Sequence, residues 1–454
     1  MAHLVVLVVG TSWAFGGQAP AVRTAVELWG AVGIALFLIA WRDREANRPV
    51  EGLTPLRDLW PLLIFDGVIA LSCANPTLQS ISRDGEAFYV LTNPRWAHFP
   101  TCARPDLALH ALLLWNGIIL SCYSGAQIVS RRSGLRRLLA VVVANGVALA
   151  VLGSLQQLVG SDGLWFGLVH SPQDYFFSTF VYHNHWAAFT LLNFAAALGL
   201  IFASARRPGG DRRHSPVMAG LVAALLLVAS VPLSGSRSGM LLASVFLAGA
   251  GLIVFARLIR RRRATGAPVA GLALGMVAVG AVALAAIGYV AGDVIRKRAA
   301  LTLEQVAEAR SSSQLDSRLT LYRDTWRMAS DRPLFGWGLD SYGDVFRIYN
   351  SQRSVEGWTP YYREAHCDWL QFLAETGSVG TALLVLTGLV PLMRTPGRNG
   401  VSAVPAFLLC GCGLILIYAT FEFPLANPSV VIGFWLSLFV ARRYMMLDRS
   451  ARIA

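Results

Sequence analysis

The chain reads as an all-α, polytopic helical membrane protein with about twelve transmembrane helices and one large extramembrane loop that contains helices of its own. Two observations carry the fold class. Apolar runs of about 20 residues recur from one end of the sequence to the other. Charged residues make up only 14% of the chain, against about 25% in soluble domains. A third observation gives orientation: the arginines gather in every second connection between the apolar runs.

The spacing predicts spans over about 2–16, 24–41, 59–75, 106–128, 138–159, 183–204, 216–233, 239–259, 268–291, 378–394, 402–420 and 428–447. The first is short, ends in Gly16-Gly17-Gln18 and lacks the basic start of a signal peptide. Without it the count falls to about eleven. Arg42, Arg44, Arg48 and Arg57 follow the second span, and Arg131, Arg132, Arg136 and Arg137 the fourth. Arg206, Arg207, Arg212 and Arg213 follow the sixth, and Arg257 with Arg260 to Arg263 close the eighth. Arg394 and Arg398 follow the tenth; Arg442, Arg443, Arg449 and Arg452 end the twelfth. Short basic connections stay in the cytoplasm, so both termini are expected there. The connections 76–105, 160–182, 234–239, 292–377 and 421–427 then face outward. The division is 1–291 for the first nine helices, 292–377 for the large loop and 378–454 for the last three. The 160–182 connection is rich in aromatics (Trp165, Phe166, Tyr175, Phe176, Phe177, Phe180), as expected at a membrane–water boundary.

Composition excludes several classes. The net charge of +13 is spread as orientation signals rather than as a nucleic-acid footprint. Lys297 is the only lysine and follows Arg296, so the Gly-Lys of a phosphate loop is missing. No Asp-x-Asp pair appears, and the six cysteines lack zinc-type spacing. Cys73, Cys122, Cys410 and Cys412 lie in apolar runs and read as small core residues. Cys102 and Cys367 fall in outward connections; whether they pair stays open, because sequence does not give proximity.

The large loop has a pattern of its own. Leu315, Leu319, Tyr322 and Trp326 recur as one stripe of an amphipathic helix, flanked by Arg318, Arg323 and Arg327 and ended by Pro333 and Gly336. A second helix is expected from about Tyr362, with His366, Leu370 and Leu373 on one face.

Four outward spots concentrate polar groups. Tyr182-His183-Asn184-His185-Trp186 opens the sixth span; Asn184 as a helix cap with interfacial aromatics competes there with a ligand-facing role. His183 and His185 are two apart, so on a helix they diverge and do not share a metal. Ser234-Gly235-Ser236-Arg237-Ser238-Gly239 sets an arginine among small residues. Its guanidinium either snorkels to headgroups or grips phosphate oxygens. On the amphipathic helix, Arg323 and Arg327 read as a solvated face, with Asp324 within reach of Arg327, whereas Arg318 borders the apolar stripe. Lastly, His366 with Asp368, Gln371 and Glu375 offers a group titrating near neutrality, able to take a proton from a hydroxyl.

In order and at fitting spacing, these stretches resemble the bacterial O-antigen ligase and polysaccharide polymerase superfamily. The carriers are STFVYHNHWAAF, SGSRSG, RLTLYRDTWRMASDRPLFGWGLDSYG, HCDWLQFLAETG and FEFPLAN, over roughly 178–430. Cys367 stands where such proteins usually carry Asn, Tyr182-His183 where Asn-Arg is common, and Glu422 where Asp is more usual. The resemblance implies an inner-membrane transferase that moves a glycan from undecaprenyl diphosphate to an acceptor hydroxyl at the periplasmic face, with inversion at the anomeric carbon. The acceptor is lipid A core, a growing glycan or a protein hydroxyl. It further implies catalytic roles for His366, Arg237 and Arg318 and substrate contacts from Asn184, His185, Ser236 and Glu422, with no cofactor and no metal. Arginines would hold the departing diphosphate, and His366 would act as general base.

The rival class is a multi-span transporter, such as a flippase for lipid-linked oligosaccharides. Its usual marks are related halves and ionisable residues deep in the spans. Here Glu27 and Asp66 are the exceptions in otherwise apolar runs. The orientation has a direct test. A cysteine at Ser312, in the large loop, is expected to react with a membrane-impermeant thiol reagent in intact spheroplasts. Reaction only after permeabilisation would overturn the orientation and the placing of the chemistry outside.

Overall fold

The computed structural model describes residues 1–46, 55–83, 86–173, 175–205, 216–264, 314–352, 361–395 and 402–453. Its helices are α1 Ala2–Trp13, α2 Pro20–Ala46, α3 Pro55–Asp58, α4 Trp60–Cys73, α5 Pro105–Gln127, α6 Arg132–Val159, α7 His183–Ser204, α8 Pro216–Leu233 and α9 Arg237–Ala264. There follow α10 Gln314–Asp331, α11 Tyr342–Tyr349, α12 Asp368–Met393, α13 Ala403–Tyr418 and α14 Pro428–Ile453. Eight of these are long and apolar enough to cross a membrane, and α1, α4 and α13 are shorter apolar helices. The chain is therefore an all-α multi-pass membrane protein. The ninth span expected at 268–291 and the start of the large loop lie outside the described residues.

The bundle is built around α7. Its sequence is apolar all round, so no face seeks water. Ala187, Ala188, Ala195, Ala196, Ala197 and Gly199 let neighbouring backbones approach closely. It packs against α6, α8, α9, α13 and α14, and nearly all of it is buried. The helix begins at His183 with Tyr182 as its cap residue. Asn184 is thus not the cap: it stands in the first turn, where its amide is free to bond elsewhere.

The basic end of the bundle is tied together by arginines that sequence counts only as orientation charges. Arg442 is 3% exposed and pairs with the 1% exposed Asp58 at 2.6 Å, whose carboxylate also accepts from Tyr123 Oη at 2.8 Å. Arg442 Nε donates to the Pro391 carbonyl at 3.1 Å and Arg443 Nε to the Val129 carbonyl at 2.9 Å. Both carbonyls belong to the ends of other segments, where helical acceptors lack partners. Arg132 pairs with Asp448 at 2.7 Å.

At the other end one connection carries strands, and two expectations are corrected. The 76–105 connection contains an antiparallel hairpin, β1 Leu78–Arg83 with β2 Glu86–Leu91. Its sequence signal is the Asp84-Gly85 dipeptide between two strand-like runs. The stripe of α10 faces the other way: Leu319 and Trp326 are 59% and 57% exposed, and the buried face is Leu321, Asp324, Thr325, Met328 and Ala329. Asp324 is buried because it accepts from the backbone and hydroxyl of Ser351 at 2.8 and 2.7 Å. A period count on apolar residues takes such a group for solvent-facing. Finally, no helix starts near Tyr362. α12 begins at Asp368, and His366 lies before it with φ +53°, so it shares no helical face with Leu370 or Leu373. All six cysteines are free thiols, Cys102 and Cys367 included.

The Pro-Leu-x-Gly-x-Gly stretch docks on a break in α12. Gly377 has φ 64° and ψ −173°, a conformation essentially confined to glycine. Around it, Trp337 and Gly338 donate to the carbonyls of Ala374 and Glu375 at 2.9 and 2.8 Å. Ser378 and Val379 donate to Pro333 and Leu334 at 2.8 and 3.1 Å. A Cβ at Gly377 would lie 2.3 Å from the Leu334 carbonyl, and one at Gly336 2.3 Å from the Glu375 carbonyl carbon. The 76–105 connection closes on the same segment: Ala103 donates to the Trp337 carbonyl at 2.6 Å, and Arg104 pairs with Asp344. Gly377→Ala is expected to cost more than the ~1–3 kcal/mol of backbone strain alone, read as a lowered thermal midpoint of the detergent-solubilised protein. Gly67→Ala, with nothing within 4 Å of the added methyl, serves as the neutral control.

Candidate functional site

The outward connections of the sequence meet at one end of the bundle, around a buried carboxylate. Glu422 is 4% exposed and sits in the short crossing between α13 and α14. Its Oε1 lies 3.6 Å from Arg318 Nη2. Its Oε2 lies 3.8 Å from His366 Nδ1, within ion-pair range and longer than a hydrogen bond. Tyr182 Oη donates to Oε2 at 3.2 Å. Burial pushes this carboxyl up, but His366 and Arg318 together outweigh it and hold Glu422 below its ordinary value. Burial, with the Glu422 carboxylate second, raises the Tyr182 phenol, so it stays protonated and donating.

A chain of hydrogen bonds carries this arrangement to the arginine turn. Asn184 Nδ2 donates to Tyr182 Oη at 2.7 Å, and Ser236 Oγ donates to Asn184 Oδ1 at 2.6 Å. Ser236 in turn accepts from the Gly239 amide at 3.1 Å, capping the first turn of α9. Ser236 and Ser238 both bond Tyr418 Oη, at 3.1 and 3.0 Å. Arg237 is the first residue of α9, exposed between these two anchored serines. A helix start with an arginine upon it attracts anions through both the free amides and the charge.

His366 is held by its surroundings in a left-handed backbone conformation that is costly outside glycine. Tyr322 Oη donates to its carbonyl at 2.9 Å, and the edge of its ring meets Phe423 at 4.7 Å between centroids. Phe423 is shared: Tyr182 stacks on it at 5.1 Å, and His185 meets it edge-on at 5.0 Å. His185 Nε2 bonds the Phe423 carbonyl at 3.1 Å, leaving Nδ1 buried without a partner. His183 turns the other way, to the Tyr175 carbonyl at 3.2 Å, as the two-residue spacing predicts.

Of the seven residues expected at a site, Glu422, His366, Arg318, Asn184 and Ser236 are joined by the contacts above, Arg237 adjoins Ser236, and His185 shares Phe423 with His366. The companions expected for His366 point away from it. Asp368 accepts from the Leu425 amide at 2.9 Å. Glu375 accepts from the Asp340 and Tyr342 amides at 2.9 and 3.2 Å. Their task is to hold the 424–426 turn and the Gly-x-Gly segment. Arg323 and Arg327 are exposed, as on a solvated helix face, although the Asp324 that Arg327 reaches at 3.8 Å is itself buried.

Sequence reasoning missed Tyr418, Phe423 and Arg23. Tyr418 ends an apolar run with nothing to mark it, and Phe423 reads as an interfacial aromatic. Arg23, on α2, reaches Asp340 at 3.2 Å and lies far from the other site residues in sequence. Two cavities open here. One of about 400 Å³ is lined by Tyr182, His185, His366, Phe423, Arg23 and Glu364, among others. A smaller one of about 60 Å³ shares Arg23 and Glu364 and adds Asp340, Asp368 and Glu375. Burial raises the Glu364 and Asp340 carboxyls there, with Arg23 among the opposing charges. Among the described residues no group of three or more His, Cys, Asp or Glu side chains is arranged to hold a metal ion.

No curated protein matches this chain. Residues 222–385 match the family profile described as O-Antigen ligase, a stretch that holds Arg237, Arg318 and His366. The chain is thus a multi-pass membrane protein in which residues 222–385 are similar to the O-antigen ligase family, a match that supports a membrane glycan-transfer role of ligase or polymerase type.

Proposed function

We propose that the protein transfers a glycan from undecaprenyl diphosphate to an acceptor hydroxyl at the periplasmic face of the inner membrane, without a metal ion. One observation carries the reading: a base candidate and an exposed arginine converge on the same buried carboxylate, Glu422, next to a helix start bearing a second arginine.

The chemistry follows from the charges. The acceptor oxygen attacks the anomeric carbon; the bond from that carbon to the phosphate oxygen breaks, and the diphosphate leaves with the electron pair. Arg237, the capped start of α9 and Arg318 suit the negative charge that grows on the departing diphosphate. His366 Nε2 takes the acceptor proton, while Glu422 behind Nδ1 orients the ring and stabilises the imidazolium that forms. Glu422 thereby becomes a positioning residue rather than the substrate contact expected from sequence. Asn184 and Ser236 set the distance between the arginine turn and the carboxylate. Ligase and polymerase share this donor end, and the deletion strain separates them: free lipid-linked polymer accumulates in one case, single lipid-linked repeat units in the other.

Arg237→Lys and Arg318→Lys keep a charge but lose the planar fork. Each is expected to reduce transfer by about 10²–10³-fold, the usual cost of removing one preorganised stabilising donor. An arginine that merely snorkels would be replaced by lysine with little loss. His366→Ala is expected to bind lipid donor normally while turnover falls about 10²–10⁴-fold. Arg323→Ala is the solvated control, with activity near that of the parent. A fully active Arg318→Lys protein, or normal turnover by His366→Ala, would sink the assignment.

Metal independence is tested separately. Transfer by the purified protein is expected to survive a chelator of divalent ions. A strict requirement for such an ion would mean that the arginines have been given a metal's task, with Asp340 and Asp344 the first ligands to examine.

A further inference from the structure

The 400 Å³ cavity has an uneven relation to the proposed chemistry. His366, His185 and Tyr182 line it, and neither Arg237 nor Arg318 does. It thus reaches the base without being lined by either of the proposed diphosphate cations, which leaves it open to an acceptor hydroxyl. Its size falls at the small end of ligand sites, about 300–1,000 Å³, enough for the end of an oligosaccharide and too confined for the surface of a folded protein. Its lining mixes aromatic rings with hydrogen-bonding groups: Tyr361, Tyr362 and Phe423 beside Gln18, Gln173 and Arg23. Rings offer faces to the C–H side of a sugar, and amides and guanidinium groups answer its hydroxyls. His185 is fixed on this wall by its Nε2 bond to the Phe423 carbonyl.

Part of the wall comes from segments far from His366 in sequence. Gly17, Gln18 and Arg23 enter from the start of the sequence, and Gln173, Val181, Tyr182 and His185 from the approach to α7. All lie outside residues 222–385, the stretch matched by the family.

We propose that this chamber receives the terminal sugars of a glycan acceptor, and that Gln18, Arg23 and Gln173 read them. The inference rests on the transferase reading above and narrows its acceptor to a carbohydrate hydroxyl rather than a protein one. The matched stretch then supplies the transfer chemistry, and the amino-terminal wall supplies the choice of acceptor.

The test reads binding and needs no turnover. The full chain in lipid nanodiscs is probed by saturation-transfer NMR with three ligands at millimolar concentration. They are chitotriose, the oligosaccharide released by mild acid from the producing strain's own envelope, and a Ser/Thr-rich peptide. Saturation transfer to at least one oligosaccharide and none to the peptide is expected. Gln18→Ala combined with Gln173→Ala is expected to weaken sugar binding about tenfold, the loss of two hydrogen bonds. Tyr361→Ala, on another part of the wall, is expected to weaken it as well, and so guards against a double variant that fails to fold. Transfer to the peptide alone, to none of the probes, or undiminished sugar signals in all the variants would overturn the proposal. An active His366→Ala protein would instead overturn the transfer chemistry, so the two failures are distinguishable.

Discussion

A carboxylate taken out of water must be answered by cations or donors, and Glu422 imposes that demand on the whole site. Three separate segments answer it: the approach to α7 through Tyr182, α10 through Arg318 and the entry to α12 through His366. An unpaired buried charge costs several kcal/mol, so removing one partner destabilises more than the pair itself contributes. The requirement therefore gathers residues far apart in sequence without any of them packing as core. It also explains why Tyr182 holds its proton and Asn184 its orientation, since each passes the constraint one bond further towards Ser236 and Arg237.

A second constraint shapes the loop that carries His366. Two backbones come together at the break in α12, close enough that neither Gly336 nor Gly377 tolerates a β-carbon. Four bonds at the break join main chain to main chain, which satisfies amides and carbonyls that the break leaves without helical partners, and the Glu375 carboxylate adds bonds from the Asp340 and Tyr342 amides. The glycines that mark the family-like stretch are thus architectural. They fix how the Pro-Leu-x-Gly-x-Gly segment sits on α12, whose entry places His366 against Phe423 and near Glu422.

Much of this was legible in the sequence, for physical reasons. Spans declare themselves because a bilayer demands length and apolarity together, and the polar residues of the site stand out against such a background. What failed were inferences from periodicity in the polar loop. The stripe of α10 pointed the wrong way because Asp324 and Thr325 are buried by hydrogen bonds, which hydrophobicity does not register. His366 looked helical because a positive φ at a non-glycine residue leaves no mark in composition. Arg442 and Arg443 looked like orientation charges, yet they are buried at 3% and 5% exposure, binding helix-end carbonyls. Tyr418 was invisible for the opposite reason: a tyrosine at the end of an apolar run resembles an interfacial anchor, and only the folded chain brings Ser236 and Ser238 to its hydroxyl.

The two sides of His366 differ in kind. Towards Arg318 and Arg237 lie charges on the matched stretch, suited to a diphosphate that every substrate of the reaction would share. Towards Arg23 and Gln173 lies a chamber part of whose wall comes from the start of α2 and the approach to α7. A transfer enzyme has to keep the first side constant, because the leaving group is constant and its charge must be met in one geometry. The second side is free to vary, since hydrogen bonds to sugar hydroxyls discriminate by which groups are left unpaired. Placing the proposed base at the boundary, in a backbone conformation held by Tyr322 and Phe423, would let one wall change without moving the His366 ring. On this reading, a single transfer chemistry serves different acceptors through substitutions in parts of the chain that never touch the departing phosphate.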